Sequence, residues 1–175
     1  MIDDMDRQIL TILQGNARIS NAEIARQVGM APSAILERIR RLEARGVIQG
    51  YETRINPEAL GLGLLAFVYV RSSDFAGEMH TAELLSEFPE VQEVHHIAGE
   101  DCFLLKVRVR DAKTLGRLLR TFSKTGAVTS TRTTIVLETL CENGRLPLES
   151  LPKAEAPPGE DAEAPDKELL EVFDV

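Results

Sequence analysis

The chain has 175 residues, 43% of them apolar, a globular composition with room for one or two buried cores. Its formal charge of -8 and pI near 5.0 speak against a nucleic-acid partner if the total is taken at face value. No apolar run approaches the roughly 20 residues of a membrane span, and Cys102 and Cys141 are too few for a disulfide framework and fit no metal-ligand spacing.

The opening Met1-Ile2-Asp3-Asp4 is acidic where a secretory signal would be basic, so the protein is expected to stay in the cytoplasm. From about Met5 to Gly15, Ile9, Leu10 and Leu13 form the apolar stripe of a first helix. Ser20 with Glu23 three residues on reads as a capping box, and Ile19 with Ile24 as a hydrophobic staple. Ile24, Ala25 and Val28 continue that second helix, and Gly29 suits the left-handed conformation that ends it. Pro32 then opens a third helix, with Ala31 ahead of it as a poor cap. In this helix Ile35, Ile39 and Leu42 make one face, while Ser33, Ala34, Glu37, Arg40 and Arg41 take the other, with Arg38 at the edge.

Three short helices with a tight turn before the last are a helix-turn-helix, complete at residues 1–50. Double-stranded DNA is the partner this predicts. Arg38, Arg40 and Arg41 can donate to phosphates or to guanine edges, and Ser33, Ala34 and Glu37 lie in the turns that approach bases. The acidic total does not oppose this, because residues 146–175 hold nine acidic side chains against two lysines, leaving a net of only -1 on the other 145. Between Arg38 and Arg54 five arginines face only Glu43 and Glu52.

Residues 51–63 read as a boundary: the segment VIQGYETRI, from Val47 to Ile55, is an expected short strand, followed by Asn56-Pro57, Gly61 and Gly63. A second domain is expected at 64–145. Its predicted elements are a strand Leu64–Arg71, a helix Ala76–Phe88, strands Val91–Ala98 and Phe103–Arg110, a helix Ala112–Lys124 and a strand Val128–Leu140. The order βαββαβ is the ferredoxin-like arrangement, an antiparallel sheet with both helices on one face, so the fold class is α+β. In the first strand both alternating sets are apolar, Leu65, Phe67 and Tyr69 against Ala66, Val68 and Val70, which predicts a sheet covered on both faces and hence a partner subunit.

Residues 3–70, DDMDRQILTILQGNARISNAEIARQVGMAPSAILERIRRLEARGVIQGYETRINPEALGLGLLAFVYV, together with GEDCFLL from Gly99 to Leu105 and TRTTIVLET from Thr131, resemble the leucine-responsive, or feast/famine, regulators (Lrp/AsnC). The resemblance covers about Met1 to Leu146. It implies a winged-type helix-turn-helix on DNA, a homodimer formed through the sheet, assembly of such dimers into tetramers or octamers, an amino-acid effector between subunits, no cofactor and no enzymatic activity. Two residues depart from the family pattern: Ala31 stands where Ser is usual, and Cys102 where an aromatic is common.

The effector residues expected from the sequence are Gly99, Glu100, Asp101, Thr131 and Thr133. Gly99 can take positive φ and turn backbone N–H groups toward a carboxylate, Asp101 can hold an ammonium, and the threonines can supply hydroxyls. The plainer reading of Gly99-Glu100 is a hairpin turn with a solvated acid. His95 and His96 are adjacent on a strand and point to opposite faces, so they do not clamp a metal together, and nothing beside Cys102 forms a nucleophile constellation. Two other readings are an effector-independent architectural DNA protein and a haem-pathway decarboxylase of similar fold, the latter disfavoured by the intact arginine helix. Residues 146–175 have the Pro, Ala and acidic bias of a disordered tail, within which DKELLEVF, residues 166–173, has helical spacing.

Overall fold

The computed structural model describes residues 2–74 and 79–150. These form two units: residues 2–52 with 144–150, and residues 53–143.

The first unit is built from α1 (Asp4–Gly15), α2 (Asn21–Val28) and α3 (Pro32–Ala44). Asp3 and Asp6 make a reciprocal capping box at the start of α1, the Asp6 N–H donating to Asp3 Oδ1 at 2.7 Å and the Asp3 N–H to Asp6 Oδ2 at 3.4 Å. At α2 only half of the expected box forms. The Glu23 N–H donates to Ser20 Oγ at 3.2 Å, but the Glu23 carboxylate takes Arg26 Nη2 at 2.6 Å and Gln27 Nε2 at 3.0 Å. A charged donor one turn on outcompetes the neutral backbone N–H of Ser20, and the hydrogen bonds from Arg26 and then Gln27 hold the Glu23 carboxyl down at about 2.

Ile9, Ile24, Ala25, Ile35 and Ile39 form the core of this unit, with Ile19 and Val28 half-buried against it. On α1 the inward residues beside Ile9 are Met5, Ile12 and Leu13, so Leu10 is not in that cluster. Gly29 ends α2 at φ +69°, a conformation that costs a residue with a Cβ about 1 kcal/mol or more. The predicted strand at Val47–Ile55 is not formed. The N–H groups of Val47 and Ile48 instead donate to the Leu42 carbonyl at 2.9 and 3.3 Å, closing α3, and no described strand runs alongside the rest. Among the described residues no strand forms a wing beside α3.

The second unit contains β1 (Leu64–Ser72), α4 (His80–Ser86), β2 (Val91–His96), β3 (Phe103–Val109), α5 (Ala112–Lys124) and β4 (Val128–Ile135). The strands run antiparallel in the order β2-β3-β1-β4. Ala66, Val68 and Val70 of β1 and Phe103, Leu105, Val107 and Val109 of β3 pack with Leu85 of α4 and Leu115, Leu118 and Phe122 of α5. Both helices thus cover one face, as the βαββαβ order requires.

The ends of the strands β1, β2 and β3 fall within two residues of expectation, while α4 and β4 stop early for physical reasons. α4 stops at Ser86, because Pro89 disfavours helical geometry at Phe88; the expected residues 76–78 at its start lie outside the described residues. β4 ends at Ile135 rather than Leu140. Its ladder partner β1 runs out there, Ile135 pairing with Ala66 and the Val136 N–H making a last bond to the Leu65 carbonyl at 2.9 Å.

After Asn143 the chain rejoins the helical unit. Gln14 of α1 clamps Leu146, donating to its carbonyl at 3.3 Å and accepting from its N–H at 2.6 Å, and a 3-10 turn follows at Leu148–Ser150. Residues 151–175, most of the expected tail with its DKELLEVF segment, lie outside the described residues.

Candidate DNA interface and effector loop

The exposed side of α3 carries Ser33, Glu37, Arg40 and Arg41, with Ala34 half-buried beside them, while Ile35, Ile39 and Leu42 are buried. Ala31 caps the helix without a side-chain hydrogen bond, and Pro32 stands at its first position. The turn, the cap and the two faces are as the spacing predicts.

Arg38 is placed differently from the other two arginines. Its Nη1 donates to Asp3 Oδ2 at 2.6 Å and to Asp6 Oδ1 at 2.7 Å, and its side chain is 23% exposed. Asp6 is 1% exposed and also lies 3.6 Å from Arg41 Nη2, whose side chain remains 49% exposed. A buried carboxylate thus receives two guanidinium groups one helical turn apart and ties α1 to α3. Burial pushes the Asp3 carboxyl up, but hydrogen bonds from Arg38 and from the Asp6 N–H outweigh it and the net shift is down. Arg40 makes no ion pair among the described residues and is exposed. The sequence grouped Arg38, Arg40 and Arg41 as one cluster, whereas the fold spends the first, shares the last and leaves the middle one to solvent. The Asp-x-x-Asp spacing at Asp3 and Asp6 signals the cap, but its partner 32 and 35 residues away has no local signal.

The expected effector residues Gly99, Glu100 and Asp101 sit together in the loop between β2 and β3. Gly99 adopts φ +142°. The Cys102 N–H donates to the Val70 carbonyl at 2.9 Å and the Ile97 N–H to the Cys102 carbonyl at 3.0 Å, which pins the loop to the end of β1. Asp101, 12% exposed, accepts from Arg132 Nη2 at 2.8 Å and lies 3.5 Å from Arg71 Nε; Glu100, 91% exposed, is 3.3 Å from Arg71 Nη2. The Arg132 guanidinium also lies over the Tyr69 ring, 3.8 Å from its centroid. Two cations and two carboxylates therefore meet at this end of the sheet.

Thr131 and Thr133 are not brought to that group. They pair with Val70 and Val68, and directly opposed residues of a ladder share a face, here the one buried under α4 and α5. Arg132, opposite Tyr69, is the β4 residue on the loop's side. The run TSTRTT gives no apolar alternation from which the inward set could be read, and Arg132 was missed for that reason; Arg71 stands near the end of β1, and its partners 29 and 30 residues on have no local signal.

The face away from the helices carries half-buried Phe67 and Tyr69 of β1 and Leu104 of β3. Lys106, on the same side, lies between Glu93 at 3.0 Å and Glu142, and Arg108 lies 3.8 Å from Glu142. His95 joins this set through Glu93 at 3.1 Å, while His96 turns to the Phe103 ring at 5.5 Å, so the two histidines point apart. Leu137 and Leu140 are 98% and 87% exposed. Among the described residues no helix is long and apolar enough to cross a membrane.

Two family models match the chain, an AsnC-type helix-turn-helix domain over residues 2–43 and an Lrp/AsnC ligand binding domain over residues 65–146. The leucine-responsive regulatory protein of Escherichia coli K12 is 39% identical over 150 residues, covering 83% of this chain and 90% of that protein. A feast or famine regulatory protein of M. tuberculosis, solved in complex with L-methionine, is similar with a TM-score of 0.78 and 38% identity, over 83% of this chain and 99% of its own. A transcriptional regulator of Neisseria meningitidis, also in complex with L-methionine, is similar with a TM-score of 0.79 and 29% identity, over 85% and 97% of the two chains.

Proposed function

The chain belongs to the Lrp/AsnC family of effector-responsive, DNA-binding transcriptional regulators, and from that premise we propose that it reads a pseudo-palindromic operator with α3 and answers to an amino acid at the loop between β2 and β3. The observation that carries the DNA assignment is the division of labour on α3: Arg38 is tied to Asp3 and Asp6, which leaves Ser33, Ala34, Glu37, Arg40 and Arg41 as the surface offered to a major groove. Arg40 and Arg41 supply the charge, and the first turn of α3 supplies the close approach to bases.

For the effector, Gly99, Glu100 and Asp101 remain the assigned residues, now with Arg71 and Arg132 beside them and without Thr131 and Thr133. A zwitterion needs a cation for its carboxylate and an anion for its ammonium, and this cluster holds both in surplus of a single pair. The solved relatives bound to L-methionine support an amino acid as the class. The protein acts in the cytoplasm as a homodimer, or as a tetramer or octamer built from such dimers, each dimer presenting two copies of α3, and it has no catalytic activity.

The test is footprinting on DNA upstream of its own gene, with and without each of the twenty amino acids, paired with calorimetry on Asp101→Asn. A discrete footprint that changes with one or a few amino acids, and a heat of binding lost in the variant, is the expected result. Coverage that spreads without sequence preference and ignores every amino acid would replace this reading with an architectural DNA protein.

A further inference from the structure

We propose that the exposed basic face of α3 is also a docking surface for the chain's own acidic segment, residues 151–175, which occupies it until DNA displaces it. The inference rests on the reading of α3 as the DNA face and adds a second occupant for it.

Charge is the first ground. Residues 151–175 carry eight carboxylate side chains, Glu155 to Asp174, against Lys153 and Lys167. A run of like charges of this density presents to arginines what a phosphate backbone presents, a row of anions whose binding releases counterions. On the other side, three acidic groups of the helical unit are already engaged, Asp3 and Asp6 with Arg38 and Glu23 with Arg26, which leaves Glu37 as the acid on the exposed face of α3 beside Arg40 and Arg41. Arg18 and Arg40 have no ion pair among the described residues, and the α3 start has no side-chain cap to soften the positive end of the helix dipole.

Attachment is the second ground. The segment does not leave from the sheet unit; Gln14 clamps Leu146 to α1 and the 3-10 turn Leu148–Ser150 belongs to the helical unit, so it departs from the unit that carries α3. Extended, its residues reach on the order of 80 Å, several times the length of about 20 Å expected of a helix like α3. Tethering over so short a span gives a local concentration on the order of millimolar, enough for individually weak ion pairs to compete. The matched family domain ends at residue 146, so the segment lies outside the shared part of the chain. It would act as a threshold on non-specific binding, since random DNA offers charge alone whereas an operator adds base contacts that the segment cannot imitate.

The test keeps the full chain and neutralises the segment, with Glu155, Glu160, Glu163, Glu168 and Glu171 changed to Gln and Asp161, Asp166 and Asp174 to Asn. Hydrogen exchange of the α3 peptide without DNA reads docking, and affinity for a random-sequence 30-base-pair duplex across a salt series reads competition. Neutralisation is expected to speed exchange in α3 and leave α5 unchanged, and to tighten duplex binding about tenfold at low salt, the gap closing as salt rises. Unchanged α3 exchange overturns the docking, and unchanged duplex affinity overturns the competition. If neither chain binds any duplex, the reading of α3 as a DNA face fails, while the exchange data still decide whether the segment docks.

Discussion

Arg38 and Arg40 stand two positions apart on α3 and do opposite work. Arg38 completes a buried carboxylate, and removing it leaves Asp6 without a close cation, with the 3.4 Å bond from the Asp3 N–H and the 3.6 Å contact to Arg41. Losing one partner of such a pair typically costs several kcal/mol, because the remaining charge stays buried. Arg38→Gln should therefore lower the thermal midpoint and weaken DNA binding without changing its salt dependence. Arg40→Gln should leave the midpoint alone and reduce the slope of log affinity against log salt by roughly one contact. A slope that falls for Arg38→Gln but not for Arg40→Gln would reverse the two assignments. The clamp also has a defined pH window. The Asp3 carboxyl is lowered from its ordinary value of 3.8, so its stabilisation is fully present above that value and is lost only as pH falls through the lower folded value. Between pH 5 and 8 Asp3 stays charged, and DNA affinity in that range should not titrate through it.

What the sequence disclosed at the level of elements was what depends on neighbours a few residues away. Gly29 at the turn, Pro32 at the start of α3 and the full extent of α5, Ala112–Lys124, were all readable, because a positive φ, a missing N–H and a 3.6-residue stripe are local properties. The end of β4, the missing strand at Val47–Ile55 and the face of Thr131 were not, because each is decided by a strand elsewhere in the chain or by its absence. Ala31 belongs to the readable class and gives a direct test. Its backbone is already in the extended conformation of a cap, φ -74° and ψ 142°, and only the side-chain oxygen is lacking. Ala31→Ser should raise the stability of the helical unit by about 1 kcal/mol, seen as a higher midpoint in thermal unfolding. It should also tighten operator binding, since fewer conformations of the first turn of α3 remain to be frozen on contact with DNA. Unchanged or lower stability would mean that the α3 N-terminus is already satisfied in another way.

For the whole molecule, the sheet poses a question that one chain does not answer by itself. Its helix face is buried along β1 and β3, yet the opposite face carries Phe67, Tyr69 and Leu104 between Lys106 and Arg132, and Leu137 and Leu140 stand almost bare beyond β4. An apolar strip bounded by charged residues is the profile of a surface buried in an assembly, and a dimer through it would supply the second α3 that a pseudo-palindromic site requires. Linking two reading helices in this way can raise affinity by two to four orders of magnitude without any new contact. Phe67→Asp places a carboxylate in the middle of the strip while leaving Val68 and the helix-facing core untouched. The expected outcome is a fall in sedimentation mass to that of a single chain, with the far-ultraviolet dichroism of the helices retained and operator affinity reduced at least a hundredfold. A variant that keeps the mass of the native assembly would move the interface to another surface, and one that loses mass but keeps full affinity would show that a single α3 is enough to read the operator.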